Sequence, residues 1–144
     1  MKKGLLLAAA AFLLFAGSAN AHVTVSPNEV AAGDYQVFTV RVPSESKDLH
    51  TVSVTVEIPA EVKITRTQPV AGWSYDMEKN AEGDVTSVTW NHGGVGLAET
   101  EFQDFQLSGR VADEAESMTW IAHQTYDDGT VIDCATLSLP DGAT

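Results

Sequence analysis

Hydrophobic and polar residues alternate along much of the chain after position 24. Segment 50–58 is the clearest case: positions 52, 54, 56 and 58 hold only Val or Ile, and positions 51, 53, 55 and 57 hold Thr, Ser or Glu. Successive side chains of a β-strand point to opposite faces of a sheet, so this period of two predicts a half-buried strand. On this pattern Thr51 faces outward and Val52 faces the core.

The same reasoning predicts about nine short strands separated by turns. They cover 25–32, 35–43, 50–58, 62–66, 73–79, 85–91, 102–109, 117–126 and 130–134. Phe102 and Phe105 break strict alternation because they are three positions apart, which predicts a β-bulge. Many short strands with regular turn signals predict an all-β fold, an antiparallel β-sandwich.

The first 21 residues predict a secretory signal peptide. A basic start, Met1-Lys2-Lys3, precedes an apolar run over 5–16 and the small-x-small site Ala19-Asn20-Ala21. The apolar run is too short for a membrane-spanning helix, which needs roughly 20 residues. We therefore expect a signal peptide over 1–21 and a single β-sandwich domain over 22–144. The mature protein is expected to be exported, and to be periplasmic or extracellular.

Composition narrows the choice of partners. Loss of Lys2 and Lys3 with the signal moves the formal net charge from −12 to −14. Such an acidic surface repels phosphate, so we expect neither nucleic acid nor an anionic membrane surface as a partner. The single cysteine, Cys134, excludes an intramolecular disulfide. It is then a free thiol, an intermolecular link or a metal ligand.

Cleavage after Ala21 places His22 at the mature N-terminus. Its α-amine and its imidazole Nδ1 can then close one chelate ring on a single metal ion. Nitrogen donors in a flat chelate suit Cu(II), which prefers tetragonal N,O surroundings. The alternative is that histidine follows the cleavage site by chance.

Other candidate ligands carry a weaker signal. His50, His92 and His123 stand at no recognisable ligand spacing, so each is interpreted as a surface or hydrogen-bonded histidine. Glu45 follows the strand over 35–43, where a sandwich places its polar loops. A carboxylate there would complete an N,N,O donor set, although an exposed glutamate after a proline is more often only solvated. Trp73, Trp90 and Trp120 are interpreted as core or loop anchors.

Several short segments occur in an order typical of one known family. They are His22-Val23-Thr24-Val25 with Pro27, Arg41-Val42-Pro43-Ser44-Glu45, Pro69-Val70-Ala71-Gly72-Trp73, Trp90 before Gly93-Gly94, Glu101-Phe102-Gln103-Asp104-Phe105 and Gln124-Thr125-Tyr126-Asp127-Asp128-Gly129-Thr130. Together they resemble the YcnI-like family of exported copper-binding proteins, over about residues 22–134. The resemblance implies an immunoglobulin-like β-sandwich and a Cu(II) site called a mono-histidine brace. In that site His22 gives amine and imidazole, Glu45 coordinates, and a tryptophan near the C-terminal end lies against the metal.

The sequence departs from the family at that tryptophan, where Cys134 aligns instead. Either the aromatic wall is lost, or a thiolate has become a softer ligand that favours Cu(I) or a charge-transfer site. We favour a Cys134 near the copper that does not ligate Cu(II) in the resting state. The candidate metal ligands are therefore His22, Glu45 and Cys134.

Two classes of function remain in view. The first is a binding protein that captures Cu(II) for trafficking or homeostasis, with copper and another copper-trafficking or membrane copper-transport protein as partners. The second is a histidine-brace copper oxidase or oxygenase, which would need a second histidine in the copper plane. The chain offers no clear candidate for that residue, so the binding role is favoured over an enzyme.

Overall fold

A computed structural model describes residues 22–140, which form ten β-strands in two sheets. The strands are β1 (Thr24–Ser26), β2 (Glu29–Val30), β3 (Tyr35–Pro43), β4 (Thr51–Glu57), β5 (Val62–Thr67), β6 (Trp73–Lys79), β7 (Val85–His92), β8 (Phe102–Val111), β9 (Met118–Tyr126) and β10 (Val131–Pro140). No helix interrupts them between residues 22 and 140, so nothing in that range resembles a membrane-spanning helix. The predicted signal peptide lies outside the described residues.

The two sheets confirm the predicted sandwich. One has four strands in the order β1-β3-β8-β5, and the other has six in the order β2-β10-β9-β4-β7-β6. Neighbouring strands are antiparallel except for a short parallel contact between β10 and β2. Extended alternating segments leave one apolar face per sheet, and the two faces bury each other.

Aromatic side chains from both sheets fill the space between them. The Phe38 and Trp120 rings are 4.8 Å apart, and Trp90 stacks on Phe105 at 4.5 Å. Burying a side chain such as Phe105 contributes roughly 1.5–3 kcal/mol relative to leaving it exposed. Trp73, Trp90 and Trp120 are all buried, as expected of core anchors.

The bulge predicted from Phe102 and Phe105 is wrong. β8 pairs with β3 from Tyr35–Arg110 to Pro43–Phe102 without a register shift. Residues three apart on a regular strand point to opposite faces, so Phe105 enters the core while Phe102 stays exposed. The Arg41 guanidinium lies 4.7 Å from the centre of the Phe102 ring, and this cation–π contact partly covers it.

A bulge does occur at the start of β4, where strict alternation was expected. The register between β4 and β9 shifts between Thr51 and Ser53. Thr51 is therefore buried, and Val52 is only partly buried, the reverse of the prediction. β10 also extends to Pro140, beyond the predicted end at residue 134.

Candidate metal centre

His22 and Glu45 meet at one end of the sandwich. β1 is antiparallel to β3, with Thr24 opposite Arg41, so the residue before β1 and the segment after β3 lie at the same end. The His22 Nδ1 is 3.7 Å from the Glu45 Oε1. The His22 side chain is 60% exposed and that of Glu45 only 14%, so the carboxylate lies at the floor of the site and the imidazole at its mouth.

The 3.7 Å between His22 Nδ1 and Glu45 Oε1 is compatible with both atoms binding the same metal ion. Imidazole nitrogen binds a divalent ion such as zinc at about 2.0–2.1 Å and carboxylate oxygen at about 2.0–2.2 Å, so two such donors are at most about 4.3 Å apart. Moreover, Nδ1 is the ring nitrogen that can chelate together with an N-terminal amine. The two residues therefore suit a mixed nitrogen and oxygen donor set.

The electrostatics of Glu45 also favour a cation. Burial raises the pKa of the Glu45 carboxyl, and the nearby charge of His22 opposes this rise. Desolvation disfavours the ionised carboxylate, and a positive charge within about 4–6 Å favours it. A bound metal ion would supply that charge.

Two side chains of β10 hold the segment that carries His22. The Cys134 thiol donates to the Val23 carbonyl at 3.4 Å, and the Thr136 hydroxyl donates to the same oxygen at 3.2 Å. Both positions face inward from β10, so the N-terminal segment is fixed to the six-stranded sheet. Thr136 had no place in the sequence prediction.

Cys134 thus lies beside the site, bonded to the backbone next to His22. Burial, and then the charge of Glu45, raise the pKa of the Cys134 thiol. A raised pKa favours the neutral thiol, which is a weaker nucleophile and ligand than the thiolate. Within residues 22–140, no three side chains of His, Cys, Asp or Glu are arranged to share a metal ion.

The remaining histidines lie in other polar contacts. His50 Nδ1 is 3.5 Å from Asp127, and His92 accepts a hydrogen bond from the Gly94 amide. Both ring nitrogens of His123 contact carboxylates: Asp133 at 2.6 Å and Glu57 at 2.8 Å. These contacts agree with the interpretation as surface or hydrogen-bonded histidines.

Sequence reasoning missed the polar side chains behind Glu45. The Tyr126 hydroxyl accepts a hydrogen bond from the Glu45 amide at 3.1 Å. Gln124 Nε2 donates a hydrogen bond to the Pro43 carbonyl at 3.0 Å. Burial is the main reason that the pKa of Tyr126 is raised. The sequence does indicate that Gln124 and Tyr126 face inward, because they share the parity of Trp120 and Ala122, but it does not indicate their partners.

Fold and site together define a β-sandwich with an imidazole and a carboxylate paired at one end. Residues 22–142 match the family model described as "Domain of unknown function (DUF1775)", and the chain belongs to this family, which is the YcnI-like family. The resemblance noted in the sequence is thereby confirmed. The match begins at His22.

Individual relatives agree with this assignment. The chain is 38% identical over 121 residues to the copper-binding protein CutI of Bacillus subtilis (strain 168), covering 84% of this chain and 58% of CutI. It therefore spans less than two thirds of that curated relative. A protein from Nocardia farcinica, whose crystal structure is described as having an immunoglobulin-like fold, is 37% identical to this chain. The two structures superpose with a TM-score of 0.71, over 78% of this chain and 82% of the Nocardia farcinica chain.

More distant structures share only the fold. A cohesin module from a Clostridium perfringens glycoside hydrolase superposes with a TM-score of 0.60 at 12% identity, covering 83% of this chain and 93% of its own. At such low identity only the arrangement of strands is comparable. The immunoglobulin-like sandwich expected from the resemblance is confirmed.

Proposed function

We propose that this protein is exported, is cleaved after Ala21 and binds one Cu(II) ion outside the cytoplasmic membrane. The His22 amine and imidazole and the Glu45 carboxylate are the proposed donors. The observation that carries the proposal is the 3.7 Å separation of His22 Nδ1 and Glu45 Oε1. Support comes from the family match that begins at His22 and from the relative CutI, a copper-binding protein.

The donor set itself argues for Cu(II). Two nitrogens and a carboxylate oxygen are donors of intermediate and hard character, whereas Cu(I) prefers thiolate and thioether sulfur. The sulfur of Cys134 is held as a thiol donor to the Val23 carbonyl, next to His22. We therefore propose that Cys134 lies next to the copper and leaves Cu(II) to nitrogen and oxygen ligands.

The proposed role is capture and transfer of copper rather than turnover. An exposed imidazole above a partly buried carboxylate leaves the metal accessible from solvent, as exchange with a second copper-trafficking or membrane copper-transport protein requires. The acidic mature chain also concentrates cations near its surface. In this role copper is cargo.

Two measurements on the exported protein test the proposal. Mass spectrometry of the purified protein should give the mass of a chain that begins at His22. Paramagnetic resonance of its one-to-one Cu(II) complex should then show an axial signal with nitrogen hyperfine splitting. A mature chain that starts elsewhere, or a Cu(II) signal without nitrogen coupling, would refute the proposed site.

A further inference from the structure

Three polar side chains are buried behind the candidate site. Thr51, Gln124 and Tyr126 are 0%, 1% and 2% exposed, in a core whose other buried side chains are apolar except for Ser44 and Ser138. Burying a polar group is costly unless it is hydrogen-bonded, so the partners of these side chains show what the burial achieves.

The bonds of this group converge on the segment that carries Glu45. Gln124 Nε2 donates to the Pro43 carbonyl at 3.0 Å and to the Thr51 hydroxyl at 2.8 Å. The Tyr126 hydroxyl accepts a hydrogen bond from the Glu45 amide at 3.1 Å, and it also contacts the Thr51 side chain. Two of the three residues in 43–45 are thus bonded to side chains of the opposite sheet.

The third residue of that segment is fixed as well. The Ser44 amide donates to the Glu101 carbonyl at 3.0 Å, and the Ser44 hydroxyl donates to the Ser46 carbonyl at 3.3 Å. Loops tolerate movement unless their backbone groups have such partners. Segment 43–45 is therefore held at each of its residues.

The bulge in β4 is what brings Thr51 into the group. Without it, Thr51 would share the outward face of Ser53 and Thr55. With it, the Thr51 side chain is buried against Gln124. Bulges are common next to functional sites, where they redirect a side chain.

An ordinary structural tyrosine does not account for this arrangement. In immunoglobulin-type sandwiches a tyrosine hydroxyl can bond to backbone a few residues upstream, at the corner between two successive strands. Tyr126 instead bonds to a backbone amide 81 positions away, on a segment that leaves the other sheet. Its hydroxyl connects β9 to the residue that bears the carboxylate.

We propose that Tyr126 is a positioning residue for the Glu45 donor: its hydroxyl fixes the Glu45 backbone so that the carboxylate faces His22. This inference rests on the proposed copper site. Groups that hold a ligand without touching the metal typically change metal affinity 10–100-fold when they are removed.

The test is Tyr126→Phe, which removes the hydroxyl and keeps the ring. Cu(II) affinity, measured by competition with a chelator, should fall about 10–100-fold, and the paramagnetic resonance parameters should shift. The matched control is Tyr35→Phe, which makes the same change at an exposed position at the other end of β3; its affinity and spectrum should equal those of the unmodified protein.

A double-mutant cycle separates positioning from general stability. In a Glu45→Gln background the carboxylate is absent, so Tyr126→Phe should change Cu(II) affinity by less than about twofold. An equal loss in both backgrounds, or an unchanged affinity in Tyr126→Phe alone, would overturn the inference. If neither Glu45→Gln nor a blocked His22 amine weakens Cu(II) binding, the proposed function is overturned, and this inference with it.

A second variant tests the inference if Tyr126→Phe fails to fold. Thr51→Val removes the hydroxyl behind Tyr126 and leaves the tyrosine and the carboxylate in place. We expect a smaller loss of Cu(II) affinity, about 2–10-fold, again abolished in the Glu45→Gln background. No change of affinity in a folded Thr51→Val protein would contradict a hydroxyl network that positions Glu45.

Discussion

Nδ1 of His22 lies 3.7 Å from Oε1 of Glu45, and neither residue belongs to a β-strand. His22 precedes β1 by two positions and Glu45 follows β3 by two positions, and both strands belong to the four-stranded sheet. The two side chains can therefore approach each other without any break in the ladder between β1 and β3.

A glycine inserted before His22 should lower Cu(II) affinity by orders of magnitude. The insertion converts the His22 amine into an amide and so removes the chelate ring, while the imidazole and Glu45 remain. Affinity of the native terminus should also fall at acidic pH, because protons compete with the metal for its donors. Chelator competition measures both effects, and equal affinity with and without the glycine would exclude the brace.

Glu45→Gln should weaken Cu(II) binding at least about tenfold, because the amide lacks the charge that balances the metal. The apo protein should be as stable as the original or more stable. The folded-state pKa of Glu45 is raised, so this group stabilises the fold only at pH values low enough to protonate it, and that contribution is lost as pH rises through the folded pKa. The same change at exposed Glu116, before β9, should alter neither property.

Cys134→Ser should leave the Cu(II) absorption spectrum nearly unchanged. A thiol that donates to the Val23 carbonyl predicts only a weak d–d band, and serine keeps a donor at that position. Direct thiolate ligation would instead produce an intense sulfur-to-copper band in the visible, which Cys134→Ser would abolish. Observation of that band would assign Cys134 to the metal.

The stability of the apo protein should decrease with pH through the titration of His123. Hydrogen bonds to Asp133 and then to Glu57 raise the pKa of His123 above its usual 6.5. The stabilisation is complete below the unfolded-state pKa and is lost as pH rises through the folded-state pKa. Urea unfolding between about pH 6 and pH 9 measures this slope.

Asp133→Asn should remove most of that slope, because Asp133 is the largest cause of the shift. The matched control is Asp76→Asn, the same change at an exposed position of β6. It should keep the slope of the unmodified protein. If Asp133→Asn and Asp76→Asn behave alike, the contacts of His123 do not govern the pH dependence.

Gly96→Ala should destabilise the protein by more than Gly83→Ala. Both glycines have positive φ, +98° and +87°, so each alanine costs about 1–2 kcal/mol of backbone strain. At Gly96 a Cβ would also meet the Thr51 carbonyl oxygen at 2.3 Å, whereas at Gly83 nothing lies within 4 Å. Overpacking adds about 1–3 kcal/mol, which thermal or urea unfolding would detect. Equal losses at the two positions would contradict the close approach at Gly96.

Most strands could be predicted because alternation and turn residues agree locally. β3 and β6 begin and end at the predicted residues, where period-two patterns run into proline, glycine or asparagine. The bulge at Thr51 could not be predicted, since it arises from pairing with β9 and from the contact with Leu97 across the loop. Local pattern carries no information about such distant partners.

The residues of the candidate site could likewise be predicted from the sequence only in part. His22 and Glu45 were predicted from the cleavage site and the family resemblance, and the structure brings them together; their binding of metal stays a prediction. Tyr126, Thr136 and Gln124 were missed because their contribution depends on which backbone groups face them across the sandwich. That information lies in the packing of the two sheets and not in the order of residues.

The supports of the site cross the sandwich, and this has a mechanical consequence. His22 and Glu45 extend from the four-stranded sheet. Thr136, which donates to the Val23 carbonyl next to His22, and Tyr126, which accepts from the Glu45 amide, belong to the six-stranded sheet. Sliding of one layer over the other would pull both donors away from their supports at once. The metal affinity of the proposed site should therefore depend on the alignment of the two layers. A remote core substitution that shifts them should make the protein release the ion faster.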